Sequence, residues 1–350
     1  TAPTAGTLTM TTPDNGSSGS DGIIGTLTPS FSLASPSDTG YTGAGIASVV
    51  VQVSTNDGTS WTTKGTSSST SSPYAITLSD LTSQTTYKIQ ALVTDVAGNT
   101  STAALTTTTN ALVTVDTSAP TAGTVTMTTN DPGSDGIVNT LTPSFELAVS
   151  GTSDGSYTGS GSNATGISSV RLQVSSNGGT TWDDNATFTA PASGGTAYTV
   201  TASPALVSGT TYSVRALVTD LATNTVTSAL STTNGRITVD TTAPTPGTLT
   251  MTSTDTGSAS NDGIVNNATP AFSLSTATDT AYTGTGHPTA AIASVVLEVS
   301  ADGGANWSTN ATFTAPTGSD TAYTVTASPA LSTNTTYKIQ ARVKIGRAHV

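Results

Sequence analysis

The sequence predicts an all-β protein built from antiparallel sandwiches in tandem. Three observations carry that prediction: an internal repeat of domain length, apolar side chains on alternate positions, and a composition that starves helices. TAPTAG at Thr1–Gly6 returns as SAPTAG at Ser118–Gly123 and as TAPTPG at Thr242–Gly247, spacings of 117 and 124 residues. Such a period is far longer than a solenoid repeat and matches one small domain, so each copy should enclose its own core. The acidic side is almost wholly Asp, with Glu146 and Glu298 the only Glu, while Thr (80) and Ser (47) dominate. Helices lose their usual surface residues in such a chain.

Order within the repeat is kept. LTMT or its variant surrounds Met10, Met127 and Met251; DGI opens at Asp21, Asp135 and Asp262; TPSF or TPAF ends at Phe31, Phe145 and Phe272. Next comes a strand with period two: Val49, Val51 and Val53 face one way, Val50 and Gln52 the other. The second copy sets Val170, Leu172 and Val174 against Arg171 and Gln173; the third sets Val295, Leu297 and Val299 against Val296 and Glu298. A later strand places Tyr87, Ile89, Ala91 and Val93 inward with Lys88, Gln90 and Thr94 outward, matched by Tyr212, Val214, Ala216 and Val218. One buried and one wet face are implied, and a disordered Thr-rich coil has no reason to repeat that alternation three times.

Between those strands lies STNDGTSW, with SSNGGTTW and SADGGANW in the later copies. The last has the S-x-D-x-G-x-x-W form of the Asp box of sialidase propellers. Its parts also build a hairpin: Asp or Asn accepts turn amides, Gly takes positive φ, and Trp covers the base. The Trp residues, Trp61, Trp182 and Trp307, are 121 and 125 residues apart. A propeller needs such boxes every 40 to 50 residues, so the hairpin is the reading carried forward. Asp183 and Asp184 are likewise expected in a solvated turn.

LTSQTTY at Leu81–Tyr87, LVSGTTY at Leu206–Tyr212 and LSTNTTY at Leu331–Tyr337 resemble the tyrosine corner of fibronectin type III and related immunoglobulin-like domains. In that motif the Tyr hydroxyl bonds to backbone just upstream. Only the second copy has its Gly, Gly209. Together with VDTTAPTPG, QVSTNDGTSW and TYKIQALVTDVAGNTS, nearly the whole chain resembles the tandem bacterial immunoglobulin-like repeats of large surface adhesins and biofilm-associated proteins. The resemblance implies three tandem immunoglobulin-like antiparallel β-sandwiches, over 1–117, 118–241 and 242–343, the third lacking its last strand. Lys344–Val350 breaks the repeat and back-translates to a sequencing-adapter oligonucleotide, so 344–350 is expected to be an assembly artefact.

Function classes narrow accordingly. A net charge of −12 with nine scattered Lys and Arg offers no basic face for nucleic acid or anionic lipid. No Cys exists, and the only His are His287 and His349, so a repeated Ser-His-Asp or sulfur metal site is excluded. No residue is assigned to catalysis. Linker prolines Pro120, Pro244 and Pro246 favour an extended rod of roughly 100 Å. By resemblance the chain is a non-catalytic stalk segment of an extracellular bacterial adhesin, its partners the neighbouring repeats. Two alternatives stand beside that one. One is a glycan- or protein-binding module using Tyr41, Tyr157 and Tyr282; the other is a spacer within a secreted hydrolase.

Calcium is the one chemical expectation. Counting strands up and down a sandwich brings linker Asp116 near Asp220 and Asn224 of the second unit and near Asp14 and Asp21 of the first; Asp240 with Asp131 or Asp135 would serve the second joint. Oxygen ligands from linker and both poles suit Ca2+. Asp, Asn and Gly equally build turns, and that reading stands beside the calcium one.

Overall fold

A computed structural model describes residues 1–16, 19–39, 45–131, 136–155, 166–192, 194–231, 235–275, 277–278, 292–317 and 321–345. Among the described residues, nine strands make the first unit: β1 (Thr7–Met10), β2 (Ile23–Ile24), β3 (Ser30–Ala34), β4 (Ile46–Ser54), β5 (Thr62–Thr66), β6 (Tyr74–Thr77), β7 (Thr85–Asp95), β8 (Thr100–Ala104) and β9 (Leu112–Val115). The second repeats them as β10 (Val125–Met127), β11 (Ile137–Val138), β12 (Ser144–Ala148), β13 (Ile167–Ser175), β14 (Asp183–Thr187), β15 (Ala197–Thr201), β16 (Thr210–Asp220), β17 (Thr225–Ala229) and β18 (Arg236–Val239). Among the described residues the third has six: β19 (Leu249–Met251), β20 (Ala271–Ser275), β21 (Ile292–Ser300), β22 (Ser308–Thr312), β23 (Ala322–Thr326) and β24 (Lys338–Ile345). The only helical element among the described residues is one 3-10 turn at Thr109–Ala111, and no helix there could cross a membrane.

Each complete unit is two sheets face to face, an immunoglobulin- or fibronectin-like sandwich as the sequence predicts. In the first unit the sheets are β1-β3-β6 and β2-β9-β7-β4-β5, with β8 also on β7. Thr and Val suit such pleated, half-buried surfaces. The alternation sends Val49, Val51, Ile89, Ala91 and Val93 to 1% exposure or less. The last strand is split: β8 pairs with Gln90–Thr94 and β9 with Thr85–Lys88. Between them Leu105 crosses to bridge Leu8 of the opposite sheet, and Thr106 donates its amide and hydroxyl to the Leu8 carbonyl at 3.1 and 2.8 Å. That crossing seals the open edge of the sandwich, and both leucines are buried.

The cores are separate. Leu8, Phe31, Ile89 and Val113 belong to one, Val125, Phe145, Val214 and Ile237 to the next, and Phe272, Leu274, Val295 and Leu297 to the last. In the third unit the described strands form β19-β20-β23 and β22-β21-β24, which leaves β24 as an edge. That strand continues through Lys344 and Ile345, paired with Ser294 and Ile292, so the residues past 343 begin in strand register.

Tyrosine corners occur in all three units: the Tyr87, Tyr212 and Tyr337 hydroxyls accept the amides of Thr82, Val207 and Ser332 at 3.0, 3.1 and 3.1 Å. Tyr87→Phe strands the Thr82 amide beside a buried ring. It is expected to lower the stability of the first unit alone by about 1–2 kcal/mol, measured by urea unfolding.

The outer face departs from expectation. Gln173 and Glu298 point outward yet are only 8% and 7% exposed. Long polar neighbours cover them: Arg215 Nε donates to Gln173 Oε1 at 2.8 Å, and Arg342 Nε and Gln340 Nε2 donate to Glu298 at 2.6 and 2.8 Å. Arg215 also lies 4.0 Å from the centre of the Trp182 ring. Asp183 and Asp184 correct the sequence reading too, since both sit on β14 and not in a turn. Asp184 takes hydrogen bonds from Gln173 and Arg171, which hold its carboxyl below the usual range.

Candidate metal centre

The Asp-box segments are turns. In the third unit Asp302 Oδ1 accepts the Ser300 hydroxyl and the Asn306 amide at 2.7 and 2.9 Å, and Gly304 N donates to Ser300 Oγ at 2.9 Å. Those donors hold the Asp302 carboxyl far below its ordinary range, fixed as a turn acceptor. Asn56 and Asn177 repeat the arrangement in the other units. Gly58, Gly179 and Gly304 take φ of +88, +93 and +99°, and a Cβ there would touch Trp61, Trp182 or Trp307.

At the joint between the first two units, four strand ends and loops converge. Asp116 follows β9, and its amide donates to the Ile24 carbonyl at 2.9 Å, which fixes where the linker leaves the first unit. Three residues past Ser118, Thr121 bridges Ser153 through an amide–carbonyl bond of 2.8 Å and so draws the loop after β12 against the linker. Asp154 is the next residue. Asp220 ends β16, its Oδ1 accepting the Asn224 amide at 2.8 Å and its Oδ2 the Asn224 side-chain amide at 3.0 Å. Carboxylate oxygens of Asp116, Asp154 and Asp220 lie within 4.8 Å of one another, and the three residues are 2%, 5% and 0% exposed.

Three acids so close cannot all ionise without cost. Burial raises the Asp116 carboxyl to about 6, helped by Asp154 and by the charge of Asp220; burial also raises Asp220, with Asp154 adding to it. The first unit provides a control. Asp95 takes the same bonds, from Ala97 N at 2.8 Å, Asn99 N at 2.9 Å and Asn99 Nδ2 at 2.9 Å, yet these hold its carboxyl low. The turn is the same and both carboxylates are buried; Asp220 has the charge of Asp154 beside it, whereas Asp95 has the chain's N-terminal ammonium.

The packing around the cluster is tight. Ile23 of the first unit meets Leu221 and Ala222 of the second in a small apolar contact, all three buried. Asn15 Nδ2 donates to the Ala222 carbonyl at 3.4 Å and Asn224 Nδ2 to the Asp116 carbonyl at 3.1 Å. Gly25 permits this approach: a Cβ there would stand 2.7 Å from the Ala222 carbonyl oxygen.

Of the residues singled out in the sequence, Asp116 and Asp220 join the cluster. Asn224 orients Asp220 and the linker carbonyl through its amide nitrogen. Asp14 and Asp21 do not join; they hold their own loop, Asp14 Oδ2 accepting Gly22 N at 2.9 Å and Asp21 Oδ1 accepting Ile23 N at 3.4 Å. Burial beside Asp21 raises the Asp14 carboxyl. At the second joint Asp240 is buried and caps Thr242 N at 3.0 Å, as Asp116 caps Ser118 N. Asp131 accepts Gly136 N at 2.8 Å, whereas Asp135 lies outside the described residues. Strand register puts Ile345 where the earlier units have Asp95 and Asp220, so no equivalent carboxylate is supplied there. Tyr41, Tyr157, Tyr282, His287 and His349 also lie outside the described residues.

Asp154 was missed by sequence reasoning. Its signal is a Ser- or Thr-Asp pair three residues before a Tyr, recurring at Asp38, Asp154 and Asp279. Chemically the donor set is all oxygen and strongly anionic, which fits Ca2+ better than Zn2+, and better than Mg2+ with its strict octahedron.

No protein-family model matches the chain, and no curated protein matches it. Among solved structures it is similar to the FN1–FN3 domains of chicken CNTN1, at 12% identity over 99% of this chain and 95% of that one, with a TM-score of 0.29. It is also similar to murine CEACAM1b, at 12% identity over 67% of this chain and 98% of that one, with a TM-score of 0.30. At those scores the fold assignment rests on the sheets themselves.

Proposed function

We propose that this chain is a run of non-catalytic spacer modules from an extracellular bacterial adhesin, and that Ca2+ held by Asp116, Asp154 and Asp220 stiffens its first joint. The observation that carries this reading is the buried triple-carboxylate cluster, built from a linker residue and two loops of the unit that follows. A cation there would offset the burial, and the lesser mutual repulsion, that raise Asp116 and Asp220, and would tie the linker to the second sandwich. Linker prolines and the Ile23–Leu221–Ala222 contact act in the same direction, toward a joint with one preferred angle. Such a chain transmits force and holds distance, and binding or catalysis belongs to other segments of a stalk.

Small-angle scattering tests it. In millimolar calcium the pair-distance distribution should sharpen and its maximum dimension lengthen relative to EDTA. Superimposable profiles would remove the stiffening role.

A further inference from the structure

Glu146 stands where the other two units place a serine. On β12 it lies between Thr126 of β10 and Thr199 of β15, as Ser32 lies between Thr9 and Ala75, and Ser273 between Thr250 and Thr324. Together with the hydroxyl residues Thr128, Ser144, Thr189, Thr199 and Thr201 it lines a depression of about 240 Å³ on the outer face of that sheet. The walls are fixed by bonds of their own. Thr189 and Thr199 exchange amide–carbonyl bonds of 2.7 and 3.1 Å, and the Ser144 and Thr201 hydroxyls bond each other at 2.8 Å. Glu146 is half-buried, and among the described residues none donates a hydrogen bond or a countercharge to it. By contrast Arg342 meets Glu298, Arg171 meets Asp184 and Lys88 meets Asp57. The reason is a segregation of charge: every described Lys and Arg lies on the other sheet of its unit. Lys64 and Lys88 are on β5 and β7, Arg171, Arg215 and Arg236 on β13, β16 and β18, and the rest on β24.

We propose that this depression is a subsite for one amino-sugar ring of a glycan, its ammonium on Glu146 and its hydroxyls on the surrounding Thr and Ser. The site goes beyond the spacer reading, which assigns a stalk's main binding to other segments, and it stands or falls without it. A single carboxylate among neutral walls selects a single positive charge, and an ammonium brings three N–H donors for the carboxylate and nearby hydroxyl oxygens. Ring hydroxyls both donate and accept, as the Thr and Ser hydroxyls do. The volume lies below the roughly 300–1,000 Å³ of pockets for drug-sized ligands, which suits one ring. A lysine side chain would bring the charge, but its methylene stem would lie against hydroxyls. In the first and third units the serine at this position removes the charge and with it the selectivity.

The test titrates the full chain, at low ionic strength, with a glucosamine oligomer, its N-acetylated counterpart and an oligolysine of equal charge, following backbone amide shifts by NMR. The glucosamine oligomer should move amides over 126–128, 144–148 and 197–201. The N-acetylated oligomer, which lacks the charge, should bind at least about tenfold more weakly, and Glu146→Gln should weaken the glucosamine oligomer by a similar factor, the loss of one charge-assisted hydrogen bond. Asp183 is the control: it is an exposed acid on the other sheet, so Asp183→Asn should leave the affinity unchanged. Equal loss in the two variants, or oligolysine moving the same amides as strongly, would reduce the effect to attraction of any polycation by an acidic chain and overturn the proposal. Equal binding of the N-acetylated oligomer, shifts confined to other strands, or no binding would overturn it as well.

Discussion

Asp116→Asn is expected to reverse sign with calcium. In EDTA the variant should melt at or above the unsubstituted chain, because it removes one of three crowded acids while its side-chain oxygen can still accept the Ser118 amide, now held at 3.0 Å. In calcium at about one hundred times its dissociation constant, the unsubstituted chain should gain about 2.7 kcal/mol at the first joint and the variant far less. pH supplies a second axis. The folded pKa of about 6 exceeds the reference 3.8, so the folded, metal-free chain holds the extra proton between those values. Stability contributed by this group is therefore present below about 4 and falls as pH rises through 6. Calcium must displace that proton, so its stabilising effect should be larger at pH 7.5 than at pH 5. A turn with no metal would show no calcium response in either protein. Differential scanning calorimetry of both, with calcium and with EDTA at the two pH values, measures all eight conditions.

The sandwich could be read from the sequence because its determinants are local and repeated. Tyr87, Ile89, Ala91 and Val93 announce their face by spacing alone, and Leu81 with Tyr87 announces the corner. The cluster could be read only in part. Asp116 and Asp220 stood out because a linker and a hairpin end must meet at one pole. Asp154 is brought in by the Thr121–Ser153 bridge and by Gly166, whose Cβ would stand 2.8 Å from the Asp154 Cβ. Those are long-range contacts that no periodicity encodes. Asp14 and Asp21 were drawn to the joint by the same pole argument. Their carboxylates, however, satisfy amides two to eight residues away, a local hydrogen bond that outcompetes reaching across the interface. Gln173 and Glu298 followed the strand alternation faithfully; their burial comes from neighbours on adjacent strands.

Phe145→Ala should destabilise one unit and spare the others. Phe145 is 0% exposed, sits opposite Met127 and Val200 in its sheet, and fills the space between the two sheets of the second sandwich. Removing a ring from such a site costs about 3–5 kcal/mol in lost transfer energy and cavity. Against a domain stability of about 5–15 kcal/mol, that lowers the melting point of this unit by on the order of 15 °C. The effect should stay where the core is. Phe31 and Phe272 occupy the equivalent sites in cores that share no buried residue with the second. The first unit loses only the cover that Leu221 and Ala222 give Ile23, about 1 kcal/mol or less. One Trp per unit makes the assignment direct. In a Trp61→Phe, Trp307→Phe background the emission of Trp182 should report the early transition. In backgrounds retaining Trp61 or Trp307 alone, the transition should stay near its original temperature. If all three tryptophans report the same lowered transition, the copies share one cooperative core, and the description of the chain as three self-contained sandwiches fails with it.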